Sequence, residues 1–429
     1  MNQQHPPHQK NTSLALSNLI SNQLQGLSPI QTIMKMAEPK TIANMGLDPK
    51  KIISFGGGWC NHPAPQKLQH IYKQIISDKK SFHQSGRYSP IIGLSDCREQ
   101  ICRFEKTIYH VHPLTSEHIL LGQSSTQLFH DLLRVIANPT DDICLLDPTY
   151  ANYANAITCA LPKSKIRFIS ALNPENWTYL YEPETSLEQL KKHCSQGAKI
   201  CIIPVPDNPT SQIPSDSFLK ATEQILSDHQ GFLVLDYAYK SLWFHEPPPC
   251  YSWSPETYPN VISIHSNSKW LSSLGRRLGW IEASTPIIKG MEKINESVLL
   301  SPDTLHSMAT AEYLKTGLAD GSLKKYIENT RILYKKTAAV LIEMIEEELG
   351  WDYLTPAGGL YTCCPTPNTE DPMAFIQRIL KNTGVLLIPG TGFGPSMNHA
   401  VRLSYGPLCQ DHELIREGIK RISQYISSL

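Results

Sequence analysis

A chain of 429 residues is long enough for two packed units, and 41% hydrophobic with 18% charged side chains is ordinary globular composition. Its 39 basic and 39 acidic residues cancel, leaving no basic excess to hold a nucleic-acid backbone. No apolar run approaches the roughly 20 residues that span a bilayer, so neither a nucleic-acid nor a membrane partner is expected.

The opening MNQQHPPHQKNTS is polar, lacks the apolar stretch of a secretory signal, and reads as a frayed tail. The eleven cysteines are odd in number and scattered, which suits reduced thiols in the cytoplasm better than a disulfide framework or a zinc site. The sixteen histidines include no H-E-x-x-H, and His110-Val111-His112 reads as surface, so no metal is expected.

From about residue 119 to 285 short apolar runs alternate with helix-like stretches. The runs are Ile119–Gly122, Ile143–Asp147, Ile166–Ser170, Ile200–Val205, Phe232–Asp236, Val261–His265 and Leu278–Ala283. Each is too short for a buried helix, and amphipathic stretches such as Leu187–His193 and Ser217–Ser227 lie between them. This alternation predicts an α/β layer: a mostly parallel seven-stranded sheet with helices on both faces. Residues 305–349 read as helical, and a smaller mixed segment follows, ending in a helix over Asp411–Ser428. The expected units are a tail and arm (1–55) packing with the small domain, a large domain (56–309) and a small α/β domain (310–429).

Six motifs carry candidate chemistry, and each has a blander account. Gly122-Gln123-Ser124-Ser125-Thr126-Gln127 joins a strand to a helix, where unpaired N–H groups and hydroxyls make an anion site or a simple N-cap. In Asp147-Pro148-Thr149-Tyr150 the Tyr150 ring could stack on a flat ligand or pack in the core. Val205-Pro206-Asp207-Asn208-Pro209-Thr210 holds a rigid loop with the Asn208 amide, although Asn-Pro is also a common turn. Asp236 closes a strand in Leu235-Asp236-Tyr237-Ala238-Tyr239. A buried carboxylate there needs a cation, or else it caps the next turn. Lys269, in Ser266-Asn267-Ser268-Lys269, sits at a strand exit where desolvation would lower its pKa and free the amine to condense with an aldehyde. Ser266 and Arg277, the latter in Gly275-Arg276-Arg277-Leu278-Gly279, could share one phosphate; a polar surface loop is the alternative. Arg402, inside the apolar run Val401–Tyr405, needs an anion: a substrate carboxylate or a structural salt bridge.

The order of these motifs is more specific than any one of them, because all fall at strand ends, where α/β sheets place ligands. In that order the chain resembles a class I/II aminotransferase of the fold-type I superfamily that uses pyridoxal 5'-phosphate (PLP), from about residue 50 to the end. A weaker likeness is to the aminoadipate/kynurenine aminotransferase-like branch, through Phe55-Gly56-Gly57-Gly58-Trp59-Cys60-Asn61. The resemblance implies that Lys269 holds the cofactor covalently, Asp236 meets its ring nitrogen, and Tyr239 and Asn208 hold the ring oxygen. It further implies that Ser125, Thr126, Ser266 and Arg277 bind the phosphate, that Tyr150 stacks on the ring, and that Arg402, Gly58 and Asn208 bind substrate. Tyr88, in Tyr88-Ser89-Pro90, would reach the phosphate of a neighbouring subunit, which makes the expected assembly a homodimer.

Two departures stand out. Ser211 replaces the glycine usual after Asn-Pro-x, so the loop backbone is expected to shift. Trp59 and Asn61 make the expected side-chain pocket unusual. No arginine suited to a second carboxylate occurs in KINESVLLSPD, so a dedicated aspartate enzyme is not supported. The expected activity is amino transfer between amino acids and 2-oxo acids. The alternatives are a lyase, decarboxylase or oxidase with the same cofactor, and a non-catalytic PLP-sensing regulator.

Overall fold

The computed structural model describes residues 16–23, 32, 35–180 and 182–429, so the tail expected over residues 1–13 lies outside the described residues. The first strand, β1 (Ile53–Ser54), belongs to the smaller unit. The seven apolar runs then form one sheet from β2 (Ile119–Gly122), β3 (Asp142–Asp147), β4 (Ile166–Ser170), β7 (Ala198–Pro204), β8 (Phe232–Asp236), β9 (Val261–Ser266) and β10 (Gly279–Glu282). A short hairpin, β5 (Leu172–Asn173) with β6 (Thr178–Tyr179), interrupts the series. The order across the sheet is β2-β10-β9-β8-β7-β3-β4. Only β10 runs antiparallel to its neighbours.

Strand geometry sends alternate side chains to opposite faces. Leu121, Leu146, Ile203 and Leu235 enter one core with Ile101 and Phe104 of helix Ser95–Tyr109 and Tyr313 of helix Thr304–Ala319. Leu120, Leu145, Ile202 and Val234 enter the other with Leu128 of helix Ser125–Ile136 and Ile288 of helix Thr285–Val298. Each such buried aliphatic side chain contributes about 1.5–3 kcal/mol. A sheet covered on both faces is therefore held from both sides, and its strand ends become fixed points.

A second core gathers around β11 (Tyr361–Pro365), β12 (Val385–Leu386), β13 (Ile388–Pro389) and β14 (Ala400–Ser404). Strands β11, β14 and β13 pair in that order, and β1 pairs with β12. Helices Pro372–Thr383 and His412–Ser427 cover them through Phe375, Ile379, Ile415 and Ile419. Met36, Ile53 and Phe55 pack in this core, so the described part of the N-terminal arm joins the smaller unit.

The expected boundary at residue 310 needs correction. It falls inside helix Thr304–Ala319, whose Ala309, Ala311 and Leu314 sit in the larger core. The next helix, Ser322–Met344, places Leu323 and Ile327 in the larger core and Tyr334, Ala338 and Leu341 in the smaller one. Helical periodicity reveals an apolar face without saying which core it meets, so the sequence could not locate this crossing. No helix among the described residues is long and apolar enough to cross a membrane.

Candidate active site

A cavity of ≈ 370 Å³ opens where the carboxyl ends of β7, β8 and β9 face the smaller unit. That is within the usual size of a small-molecule site. Eleven of the twelve residues singled out from sequence line it: Gly58, Ser125, Thr126, Tyr150, Asn208, Asp236, Tyr239, Ser266, Lys269, Arg277 and Arg402. Tyr88 does not; it stands 82% exposed on the surface of the chain.

Lys269 lies just past β9, in the short helix Asn267–Trp270, which Ser266 caps by accepting the N–H of Ser268 at 3.1 Å. Its Nζ donates to the carbonyl of Gly58. Burial pushes its pKa down to about 8; Cys60 opposes the shift, while the cations Arg402 and Arg277 add to it. The sequence expectation of a desolvated, more nucleophilic amine matches this geometry.

Asp236 ends β8, where burial raises its pKa. Its hydrogen-bond donors are neutral: the Tyr153 hydroxyl at 2.7 Å and the Ala238 N–H at 2.9 Å. It does cap the following turn, as the blander account had it, yet its second oxygen faces a tyrosine inside the cavity wall. A buried carboxylate with only neutral partners is a receptor for a cation.

Arg402, in the middle of β14, donates Nη1 to Asn208 Oδ1 at 2.8 Å and Nη2 to the Gly56 carbonyl at 3.1 Å. Its guanidinium lies 4.3 Å from the Tyr361 ring centre and 5.0 Å from that of Phe393. Its Nε is buried without a partner, and among the described residues it forms no ion pair. The structural salt bridge that competed with a substrate role is therefore not present, and the cation is free for an anion. Asn208 gives its oxygen to Arg402, which leaves its amide nitrogen as the donor.

At the opposite end, Ser125 and Thr126 open helix Ser125–Ile136, where N–H groups lack intrahelical acceptors. Gly279 of β10 comes so close that a Cβ there would lie 3.1 Å from the Ser125 nitrogen. Ser266 and Arg277 complete this rim. Arg277 adopts a left-handed φ of 44°, and its Nη1 donates to the Leu274 carbonyl at 2.6 Å. The result is an anion cradle of helix N–H groups, hydroxyls and a guanidinium.

Three residues in the site escaped the sequence reading. Tyr153 holds Asp236, Tyr361 hydrogen-bonds the Tyr239 hydroxyl at 2.6 Å, and Ser268 lines the cavity beside Lys269. Nothing local in the sequence marks Tyr153 or Tyr361. The expected backbone shift at Ser211 is corrected as well. Serine takes the left-handed conformation itself, at φ 56°, and is fully buried. Contacts hold it there: the Ser211 Oγ accepts the Tyr361 N–H at 3.0 Å, and its carbonyl accepts the Ala357 N–H at 3.0 Å.

A desolvated amine, a buried carboxylate awaiting a cation and an anion cradle fit the aldehyde, ring nitrogen and phosphate of PLP, and on this sheet they define a fold-type I PLP enzyme. The chain belongs to the aminotransferase class I and II family, whose model matches residues 50–422. It is similar to the aspartate/prephenate aminotransferase of Thermus thermophilus, 23% identical over 412 residues that cover 95% of this chain and 98% of that protein. It is also similar to aromatic-amino-acid aminotransferase 1 of Thermococcus litoralis, 25% identical with 92% of each chain covered. The fold matches a solved Thermus thermophilus aspartate aminotransferase with maleate at a TM-score of 0.81, 21% identity and coverage of 96% and 99% of the two chains. The protein is thus a PLP-dependent enzyme that moves amino groups between amino acids and 2-oxo acids.

Proposed function

We propose that this one cavity runs both halves of the transfer, with Lys269 as the only residue that moves protons. The observation that carries this reading is the Lys269 amine, its pKa held near 8, in a cavity shared with Asp236 and Arg402. When bound, PLP supplies an electron sink for the pair left at the substrate Cα. Arg402 clamps the α-carboxylate in two hydrogen bonds and fixes which Cα bond lies near Lys269. Lys269, placed beside that bond, would take the Cα proton on Nζ and later give it back, as a positioned general base. Asp236 would meet the ring nitrogen and favour its protonated form, with Tyr153 steadying the carboxylate. Tyr239, oriented by Tyr361, and the Asn208 amide hold the ring oxygen, while Ser125, Thr126, Ser266 and Arg277 anchor the phosphate. Tyr150 covers the ring.

The assembly proposed is a cytoplasmic homodimer in which Tyr88 completes the neighbour's phosphate site. Tyr88, Phe82, Val298 and Leu300 are all exposed on the single chain, and Ser89 is tied to Ser301 at 2.9 Å, which brings those two segments together. No disulfide is formed among the described residues, which suits a reducing compartment.

The deciding experiment supplies an amino acid to holoenzyme without an acceptor. One equivalent of 2-oxo acid per site supports transfer; continuing release would assign a lyase or oxidase instead. Full turnover by Lys269→Ala protein would end the reading.

A further inference from the structure

Four charged side chains line the described part of the cavity: Asp236, Lys269, Arg277 and Arg402. On the roles proposed above, each answers a charge or reactive group on the cofactor or the substrate's α-carboxylate. Among this chain's described lining residues none is left for a charge on the substrate side chain. A second carboxylate entering here would lose its hydration without gaining a cation from the described residues of this chain, which is strongly unfavourable.

Besides Ser54, Asn208 and Tyr361, the lining on the smaller unit's side carries the apolar side chains of Trp59, Leu386, Ile388 and Phe393. The run of three glycines explains how these side chains reach the cavity. The Trp59 indole folds back over Gly57, where any Cβ would overlap its six-membered ring. A Cβ at Gly56 would lie 3.2 Å from Ile388 Cδ1 and 3.3 Å from Leu386 Cδ2. The loop itself is pinned, since the Gly57 carbonyl accepts the Ser404 hydroxyl at 2.5 Å. Trp59 is nonetheless 47% exposed, so the aromatic ring is backed by glycine backbone while about half of the residue remains accessible. An exposed, rigidly backed indole at the edge of a cavity is a stacking platform.

We infer that the amino donor is a monocarboxylate with a large apolar side chain, preferentially aromatic, and that Trp59 determines this preference by stacking on it. The inference rests on the reading that Arg402 takes the α-carboxylate. It assigns what lies on the other side of Cα.

The test uses holoenzyme and compares kcat/KM for phenylalanine, tryptophan, alanine, aspartate and glutamate. Phenylalanine or tryptophan is expected to exceed alanine and aspartate by about 100-fold, in the range an extended apolar contact discriminates. In Trp59→Ala protein the phenylalanine-to-alanine ratio of kcat/KM is expected to fall about tenfold, and Trp59→Phe is expected to restore most of it. Binding of 3-phenylpropionate, which cannot react, should weaken in parallel in Trp59→Ala. Aspartate or glutamate as the best donor would overturn the inference, as would an unchanged ratio in Trp59→Ala protein. Failure of the underlying reading has another signature: no amino acid of the panel yields a 2-oxo acid.

Discussion

The Ser211 hydroxyl accepts the backbone N–H of Tyr361 at 3.0 Å, joining the loop after β7 to the first strand of the smaller sheet. The bond spans the two units that enclose the cavity, and Tyr361 in turn orients Tyr239. Serine holds a left-handed φ of 56° to make it, a conformation costing about 1–2 kcal/mol for a residue with a Cβ. Ser211→Gly loses the hydrogen bond but releases the strain. Ser211→Ala keeps the strain and leaves the buried Tyr361 N–H unpaired, which costs about 1–3 kcal/mol. Urea midpoints are therefore expected to fall further for Ser211→Ala than for Ser211→Gly, with the two variants about 1 kcal/mol apart. Equal midpoints would mean that the strain is not there.

Lys269 titrates near 8 in the folded protein because of burial first, with Arg402 and Arg277 reinforcing it against Cys60, whereas an ordinary lysine titrates at 10.5. Only the neutral amine attacks an aldehyde. The rate at which cofactor-free protein takes up PLP should thus rise with pH and level off just above 8. Removing a repelling cation should move that midpoint upward, as Arg402→Gln does on this argument. The same shift makes a statement about stability. Between about 8 and 10.5 the unfolded chain still holds the proton that the folded chain has released, so cofactor-free protein should gain stability as pH climbs through that window. A midpoint that stays at 10.5 would refute both expectations.

Asp236 and Tyr153 act as a pair, at 2.7 Å. Asp236→Asn should leave the fold intact and lower kcat by about 100- to 1000-fold, the scale of losing one preorganised electrostatic partner. Tyr153→Phe removes a hydrogen bond to a charged group, worth about 1.5–3 kcal/mol. It should weaken PLP binding about tenfold or more, read by equilibrium dialysis, with a smaller loss in kcat. A Tyr153→Phe protein with unchanged PLP affinity would show that the carboxylate does not need its hydroxyl.

Asp147, at the end of β3, receives the Ser396 N–H at 3.1 Å and the Ser396 hydroxyl at 2.8 Å. The Thr149 N–H donates to the Phe393 carbonyl at 2.8 Å, so these bonds draw the loop carrying Phe393 over the cavity. Ser396→Ala is expected to raise KM several-fold while kcat falls less than twofold, since the loop shapes binding and touches no reacting atom. Steady-state kinetics with one donor separates the two; a loss confined to kcat would contradict this role.

The sheet was legible because its strands announce themselves twice, as short β-branched runs and as runs ended by Asp236, Lys269 or Asn208. Strand ends converge in this architecture, so chain order brought most of the expected residues into one cavity, whereas Arg402 in the middle of β14 and Gly58 in a loop reach it from the smaller unit. Contacts between distant segments carry no such mark. Tyr153 meets Asp236 across 83 residues, and Tyr361 meets Tyr239 across 122. Each tyrosine sits where a core aromatic would sit, in NYANAITCA and YTCCP. Ser211 misled for the opposite reason. Local preference argued against a left-handed serine, and tertiary hydrogen bonds overrode it. The crossing between the cores was hidden because a helix of 23 residues shows one continuous amphipathic pattern whichever partners it meets.

That helix, Ser322–Met344, has a consequence for how the molecule comes apart. Its first turns are anchored beside the large sheet and its later turns beside the small one. Neither half can melt without stripping a wall from the other, so the enzyme is built to fail all at once. Cleavage anywhere along those six turns would leave two fragments, each missing a face it cannot replace.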